Sequence, residues 1–477
     1  MPQAPLVAVT RPEPSKLYRW LVLIFVSLAQ FGNYYIYDSI NPLERIFHDQ
    51  LGFSASMFGW LNASYSIAAV ATLLLGGIII DRVGIRQALL LFSALCLLGA
   101  MLTAWEGKFG TMVAGRTLLG LGAESQIITV VTALARWFKG KELSFAFGIN
   151  LTIARLASIA ADNSPTWAQW AFFPNGTSAD PSWHRPLILA AVVGSSCMIG
   201  AIVYWLMEGY AESHYSLGKS GEPDKLSFAE GLKFNPSYWY VVALCFTFYC
   251  GIFPFRTFAI DLFISKILAG IGAAASNFAD FAAAQQAAGF LNSFLPLSAM
   301  IATPLFGLLA DKIGRRATFM ALGSLLMMPV YLMIAYAHVS HLIHLSFFIP
   351  LVGKTVTLTL APSLMLPVGM LGIAFSLIPA VMWPSVAYIV SEHRLGTAYA
   401  LMSLIQQVGF AVFNWAIGKA NEISGASPTN PQGYTLGMWI FSILGFLGLT
   451  FAFLLRHREL GPHGHELETI TTKTHAE

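Results

Sequence analysis

Twelve runs of roughly 20 apolar residues, six on either side of one hydrophilic stretch, leave few folds open to this chain. A helix rises 1.5 Å per residue, so each run matches a hydrocarbon layer of ~30 Å. The runs fall at about 18–40, 57–80, 87–104, 111–135, 143–164 and 185–208, then at about 237–256, 287–310, 317–337, 361–390, 397–418 and 434–456. Only 11% of the residues are charged, against about 25% in an ordinary soluble domain. The fold class is therefore an all-α membrane protein of twelve transmembrane helices in two six-helix halves. The expected division is an N-terminal tail (1–17), a first bundle (18–208), a linker (209–236), a second bundle (237–456) and a C-terminal tail (457–477).

Basic residues orient the chain. Arg11, Lys16 and Arg19, Arg82 and Arg86, Arg136 to Lys141, Lys312 to Arg316, His393-Arg394 and Arg456 to Arg458 all fall on one side of the predicted layer. The positive-inside rule makes that side cytosolic, with both termini there.

The halves repeat. Gly77-x3-Asp81-Arg82-x-Gly84-x-Arg86 recurs 230 residues later as Gly307-x3-Asp311-Lys312-x-Gly314-x-Arg316, each copy following the second span of its half. Glycines permit a tight turn, an aspartate can receive helix N-terminal amides, and basic residues hold the turn at the interface. One copy is weak evidence, but two in register are strong, and duplicated six-helix halves point to a carrier whose site lies between them at mid-depth.

Two charges sit at that depth. Glu124 precedes Arg136 by twelve residues and Arg155 follows Leu143 by twelve, which places both about 18 Å from the loop joining their helices. A charge inside a span is costly and marks a functional hypothesis. Two readings stay open: an ion pair that neutralises itself within the bundle, or a polar site where a carboxylate meets an ammonium and a guanidinium meets a carboxylate. Arg116, eight residues before Glu124, is a candidate for coupling or for a structural tie between helices.

Other features exclude function classes. The net charge of +3 gives no reason to expect nucleic acid. Cys96, Cys197, Cys245 and Cys250 lie in apolar runs without metal spacing. Gly218-Lys219-Ser220 and Gly353-Lys354-Thr355 lack the upstream glycine of a phosphate loop. No nucleophile–base arrangement or cofactor motif is present, so neither enzyme activity nor a cofactor is expected. His338, His341 and His344 fit one side of a helix but lack further ligands. Tyr34, Tyr35 and Tyr37 read as an interfacial belt or as cavity lining, and Asp38 and Asp162 as wet positions at helix ends.

The chain resembles the major facilitator superfamily in Asp81-Arg82-x-Gly84-x-Arg86 and in Gly115-Arg116-x3-Gly120-x-Gly122. A narrower resemblance, to the lysosomal dipeptide transporter branch, rests on Gly122-Ala123-Glu124-Ser125, Trp137-Phe138-Lys139-Gly140-Lys141-Glu142-Leu143, Ala154-Arg155, Trp383-Pro384 and Glu392-His393-x-Leu395-Gly396-Thr397-Ala398-Tyr399. It implies a dipeptide uniporter working by alternating access, with Asp81 and Asp311 latching the cytosolic side to the opposite half. The residue matching Glu124 is expected to hold the peptide's amino terminus and that matching Arg155 its carboxylate, with Trp383 and Glu392 at the cavity or its gate. Departures are Ser391 where proline is usual, and longer stretches at about 257–284 and 338–360. The absence of an acidic dileucine signal before the first span favours a bacterial inner membrane or plasma membrane over a lysosome. Expected partners are a small-molecule substrate and the bilayer, with a monomeric transport unit. The alternatives are an organic-anion or proton-coupled carrier using Arg116 and Arg155, and a non-transporting receptor.

Overall fold

In a computed structural model the described residues are 12–138, 142–176, 180–216, 233–273, 277–349, 354–391, 394–462 and 464–470. The loop residues Lys139 to Lys141, and Glu392 and His393, lie outside them.

The first half comprises α1 (Lys16–Asp38), α2 (Ala55–Val83), α3 (Ile85–Trp105), α4 (Phe109–Phe138), α5 (Leu143–Asp162) and α6 (His184–His214). The second comprises α7 (Pro236–Ile271), α8 (Phe278–Ile313), α9 (Arg316–Tyr336), α10 (Pro362–Ile389), α11 (Leu395–Ile423) and α12 (Thr435–Glu459). Eleven of these are long and apolar enough to cross a membrane. The twelfth, α2, is 29 residues long and packs along α4 and α11. An even number of crossings puts both ends of the chain on one side, here called the terminal side; the other is the distal side.

Local chemistry starts and stops these rods. Ser15 caps α1 by accepting the Tyr18 amide at 3.2 Å, and Ser54 caps α2 by accepting that of Met57 at 3.3 Å. Asn235 caps α7 at 3.0 Å, and Pro236 follows at the first helical position. The duplicated motif ends α2 and α8 at Gly84 and Gly314, whose φ values of 84° and 73° suit glycine and strain other residues.

Two stretches differ from expectation. The residues after 256 continue α7 to Ile271, and α8 begins as early as Phe278. Residues Ile343–Ile349 and Lys354–Leu360 form an antiparallel hairpin, β1 and β2, with Ile343 opposite Leu360 and Ile349 opposite Lys354. The hairpin follows α9, so it lies on the distal side. It replaces the helix considered for His338, His341 and His344: the first two are in coil and His344 is in β1, bonded to Thr359.

The halves meet closely on the distal side. A Cβ on Gly59, near the start of α2, would lie 2.3 Å from the Asn414 carbonyl oxygen of α11. Gly289 of α8 makes the same approach to the Asp162 carbonyl of α5, at 2.5 Å. Gly77 and Gly307, near the terminal-side ends of α2 and α8, face open space. Backbone touches backbone at the two distal glycines and at neither of these.

Candidate functional site

Glu124 of α4 is half-buried and accepts two hydrogen bonds from neutral donors. One comes from the Tyr65 hydroxyl of α2 at 3.0 Å, the other from the Gln407 amide of α11 at 2.8 Å. The second bond crosses between the halves. Arg155 of α5 is also half-buried, its guanidinium carbon 5.8 Å from the Tyr34 ring of α1 and 5.6 Å from the Phe375 ring of α10. Its Nε has no hydrogen-bond partner. Among the described ion pairs none joins Glu124 to Arg155, so the two do not neutralise each other in this conformation. The two charges each retain bonding capacity for a third party.

Trp383 of α10 belongs to an aromatic wall. Its indole donates to the Tyr249 hydroxyl of α7 at 2.8 Å, and the Tyr399 hydroxyl of α11 donates to its carbonyl at 3.1 Å. Phe253 of α7 continues the wall, 5.9 Å from Tyr249, 6.2 Å from Phe375 and 5.0 Å from Phe410. The wall therefore reaches the Phe375 ring beside Arg155.

Arg116 is buried to 1% exposure and bonded within its own half. It donates to the Tyr37 carbonyl at 3.1 Å and to the Asn62 side chain at 2.9 Å, and stacks over Tyr37 and Tyr65. It ties α4 to the end of α1 and to α2.

The duplicated motif is built differently in its two copies. Arg86 lies over the Trp205 ring and 3.8 Å from Glu212, both on α6. Arg316 is buried, pairs with Asp311 at 2.6 Å and lies over the Tyr388 ring of α10. Both arginines thus act within their own halves here. Arg82 and Lys312 are exposed, and the Asp81 side chain lies outside the described residues, as does Glu392.

Three residues bridge the halves on the distal side, and the sequence did not single out their centre. Arg256 of α7, 3% exposed, pairs with Asp162 of α5 at 2.9 Å and with Asp38 of α1 at 3.4 Å. Asn292 of α8 donates to Asp162 at 2.9 Å, and Asn41 to Asp38 at 3.2 Å. Asp38 and Asp162 are 2% and 0% exposed, not wet helix ends as their sequence position suggests. The only signal was a lone arginine inside an apolar run. Among the described residues no group of three His, Cys, Asp or Glu side chains can hold a metal ion, and the four cysteines are buried and free.

Comparison with known proteins fits this geometry. Residues 26–274 match the Major Facilitator Superfamily profile. The chain is 32% identical over 416 residues to the lysosomal dipeptide transporter MFSD1 of Danio rerio, covering 86% of this chain and 82% of that one. Identity to the Homo sapiens protein of the same name is 28% over 428 residues, covering 87% and 83%. Among solved structures, the nucleoside transporter NupG superposes with a TM-score of 0.66 at 14% identity, covering 91% of this chain and 98% of that one. A bacterial homologue of the human lysosomal transporter Spinster gives 0.66 at 13% identity, covering 93% and 98%. Twelve helices in two halves, a duplicated turn motif and a relative matched over most of its length converge on one conclusion: this membrane transporter belongs to the major facilitator superfamily and, within it, to the family of the MFSD1 proteins.

Proposed function

We propose that the chain carries dipeptides, or small zwitterions of similar length, across the membrane by alternating access. The observation that carries this reading is that Glu124 and Arg155, on consecutive helices, bind neutral groups and aromatic faces instead of each other. Glu124 takes the substrate's ammonium and Arg155 its carboxylate, each exchanging weak partners for a charge-assisted one. Trp383, Tyr249 and Phe375 receive the side chains, and their apolar faces tolerate variety. Specificity follows because a ligand lacking one terminus leaves a desolvated charge unmatched. The MFSD1 relatives named as dipeptide transporters support the substrate class.

The terminal side is cytosolic on this reading, from the basic residues clustered there. Gln407 couples the site to the opposite half: substrate that displaces it from Glu124 alters a contact between halves, which is how occupancy biases rocking. Arg256, Asp38 and Asp162 form the distal gate. Gating on the terminal side falls to Asp81, Arg82, Arg86, Asp311, Lys312 and Arg316, and Glu392 is placed with them by its resemblance alone.

Thermal stabilisation of the purified protein by free, N-acetylated and C-amidated dipeptides tests the reading. Ligand that binds the folded state raises apparent stability by mass action. Free dipeptides should stabilise and blocked ones should not. Stabilisation by simple carboxylates or phosphate esters, with none by dipeptides, would replace the peptide carrier with an anion carrier.

A further inference from the structure

A second polar site sits apart from the first, on the distal side where the halves meet. A cavity of about 30 Å³ is lined from the first half by Glu44 and Arg45, in the short helix Glu44–Leu51 that follows α1, and from the second by Asp261 of α7, Asn421 of α11 and Tyr434 before α12. A space of this size accommodates one water-sized guest. Glu44 and Asp261 are each 6% exposed, and Asn421 is 1% exposed. The Tyr434 hydroxyl donates to one oxygen of Asp261. The other Asp261 oxygen, Glu44 Oε2 and both polar atoms of the Asn421 amide have no hydrogen-bond partner.

Buried polar atoms are almost always satisfied, so several orphans around one cavity need an explanation. The charge balance supplies it. Glu44 and Asp261 bring two carboxyl groups, Arg45 one positive charge and His48 an imidazole, while Asp49, 3.3 Å from Arg45 and 2.9 Å from His48, draws on both from outside the cavity. With Glu44, Asp261 and Asp49 ionised, one negative charge remains uncompensated even against a protonated His48. The exposed acceptors are two carboxylate oxygens and one amide oxygen, all hard donors suited to an alkali or alkaline-earth cation rather than to a transition metal. One net negative charge matches a monovalent cation rather than a divalent one.

We propose that this cavity binds a monovalent alkali cation, sodium in the first instance, held by Glu44, Asp261 and the Asn421 carbonyl. Its ligands come from both halves, so the ion binds only where those halves meet and favours the distal-closed state. A proton on one carboxyl would remove the charge but would satisfy neither the Asn421 amide nor the cavity.

The test is thermal stability of the purified full chain, without substrate, in sodium chloride titrated against choline chloride at constant ionic strength and pH. Sodium should raise the melting temperature saturably and choline should not. Glu44→Gln, Asp261→Asn and the uncharged change Asn421→Ala should each raise the half-maximal sodium concentration by about tenfold or more, the loss of one ligand contact. Asn421→Ala covers the case in which a charge variant fails to fold. Equal responses to sodium and choline overturn the proposal, as does a sodium response that survives all three substitutions. Stabilisation on acidification without any sodium effect would assign the cavity to a proton. Because no peptide is present, failure here leaves the dipeptide reading untouched, and the converse holds.

Discussion

Arg256 of α7 reaches Asp162 of α5 at 2.9 Å, a bond between the two halves within a surface where Gly289 already brings α8 against the Asp162 carbonyl. One guanidinium thus holds two carboxylates from the other half, beside a close approach of two helices. Removing it should be severe. Arg256→Ala leaves Asp38 and Asp162 buried without their cation, and breaking a buried pair by deleting one partner costs about 3–5 kcal/mol. The variant should melt well below wild type, and Asp162→Asn should lose less, because an amide still bonds to Asn292. Equal stability of Arg256→Ala and wild type would remove the distal gate from this account.

Gln407 donates to Glu124 from the opposite half at 2.8 Å. A hydrogen bond to a charged group is worth about 1.5–3 kcal/mol. Without Gln407, Glu124 is more free to meet a ligand but the contact between halves is lost. Gln407→Ala should therefore tighten or preserve dipeptide binding in a static assay while slowing exchange in proteoliposomes. Calorimetry and counterflow measured on one preparation separate these effects, and a parallel loss in both would make Gln407 a plain ligand.

Glu124→Gln and Arg155→Ala should abolish stabilisation by free dipeptides through different termini. Glu124→Gln should tolerate N-acetylated peptides relative to free ones, since the charge they fail to satisfy is gone. Arg155→Ala should show the same relaxation toward C-amidated peptides. Each relaxation is expected to be about tenfold, the worth of ~1.4 kcal/mol. Identical profiles for the two variants would mean that the residues do not address separate ends of one ligand.

Arg116 tests a structural role against a coupling role. Its bonds to the Tyr37 carbonyl and Asn62 use the fixed fork of a guanidinium, which a lysine cannot reproduce. Arg116→Lys should lose about 1–3 kcal/mol of stability and keep its response to dipeptide. Transport that loses its pH dependence in this variant, with stability unchanged, would move Arg116 from the scaffold to the coupling machinery.

Gly59 meets the Asn414 carbonyl at a distance that admits no Cβ. Gly59→Val should drive α2 from α11 and disfavour distal closure, at about 1–3 kcal/mol by analogy with overpacked cores. A cysteine placed near the distal end of α2 should then label faster from that side. Unchanged labelling would show that the helices separate elsewhere.

The sequence by itself determined the class and the number of spans. These are one-dimensional quantities: apolar length and charge count translate directly into crossings. The turn glycines of the duplicated motif were equally legible, because a backbone constraint acts on the residue that carries it. Tertiary structure alone decided which charges meet. Asp38 and Asp162 occupy helix ends, where wet positions are ordinary, and only the packing of α1, α5, α7 and α8 puts both against Arg256. Gln407, one polar residue among many in its span, gained meaning when α11 crossed α2 and α4. The run after 256 hid its helix because length alone does not say where a helix leaves the membrane, and the hairpin at 343–360 carried alternation too short to outweigh its surroundings. Contacts between halves depend on how two bundles rotate about each other, a property of all the interfaces together that no single spacing encodes.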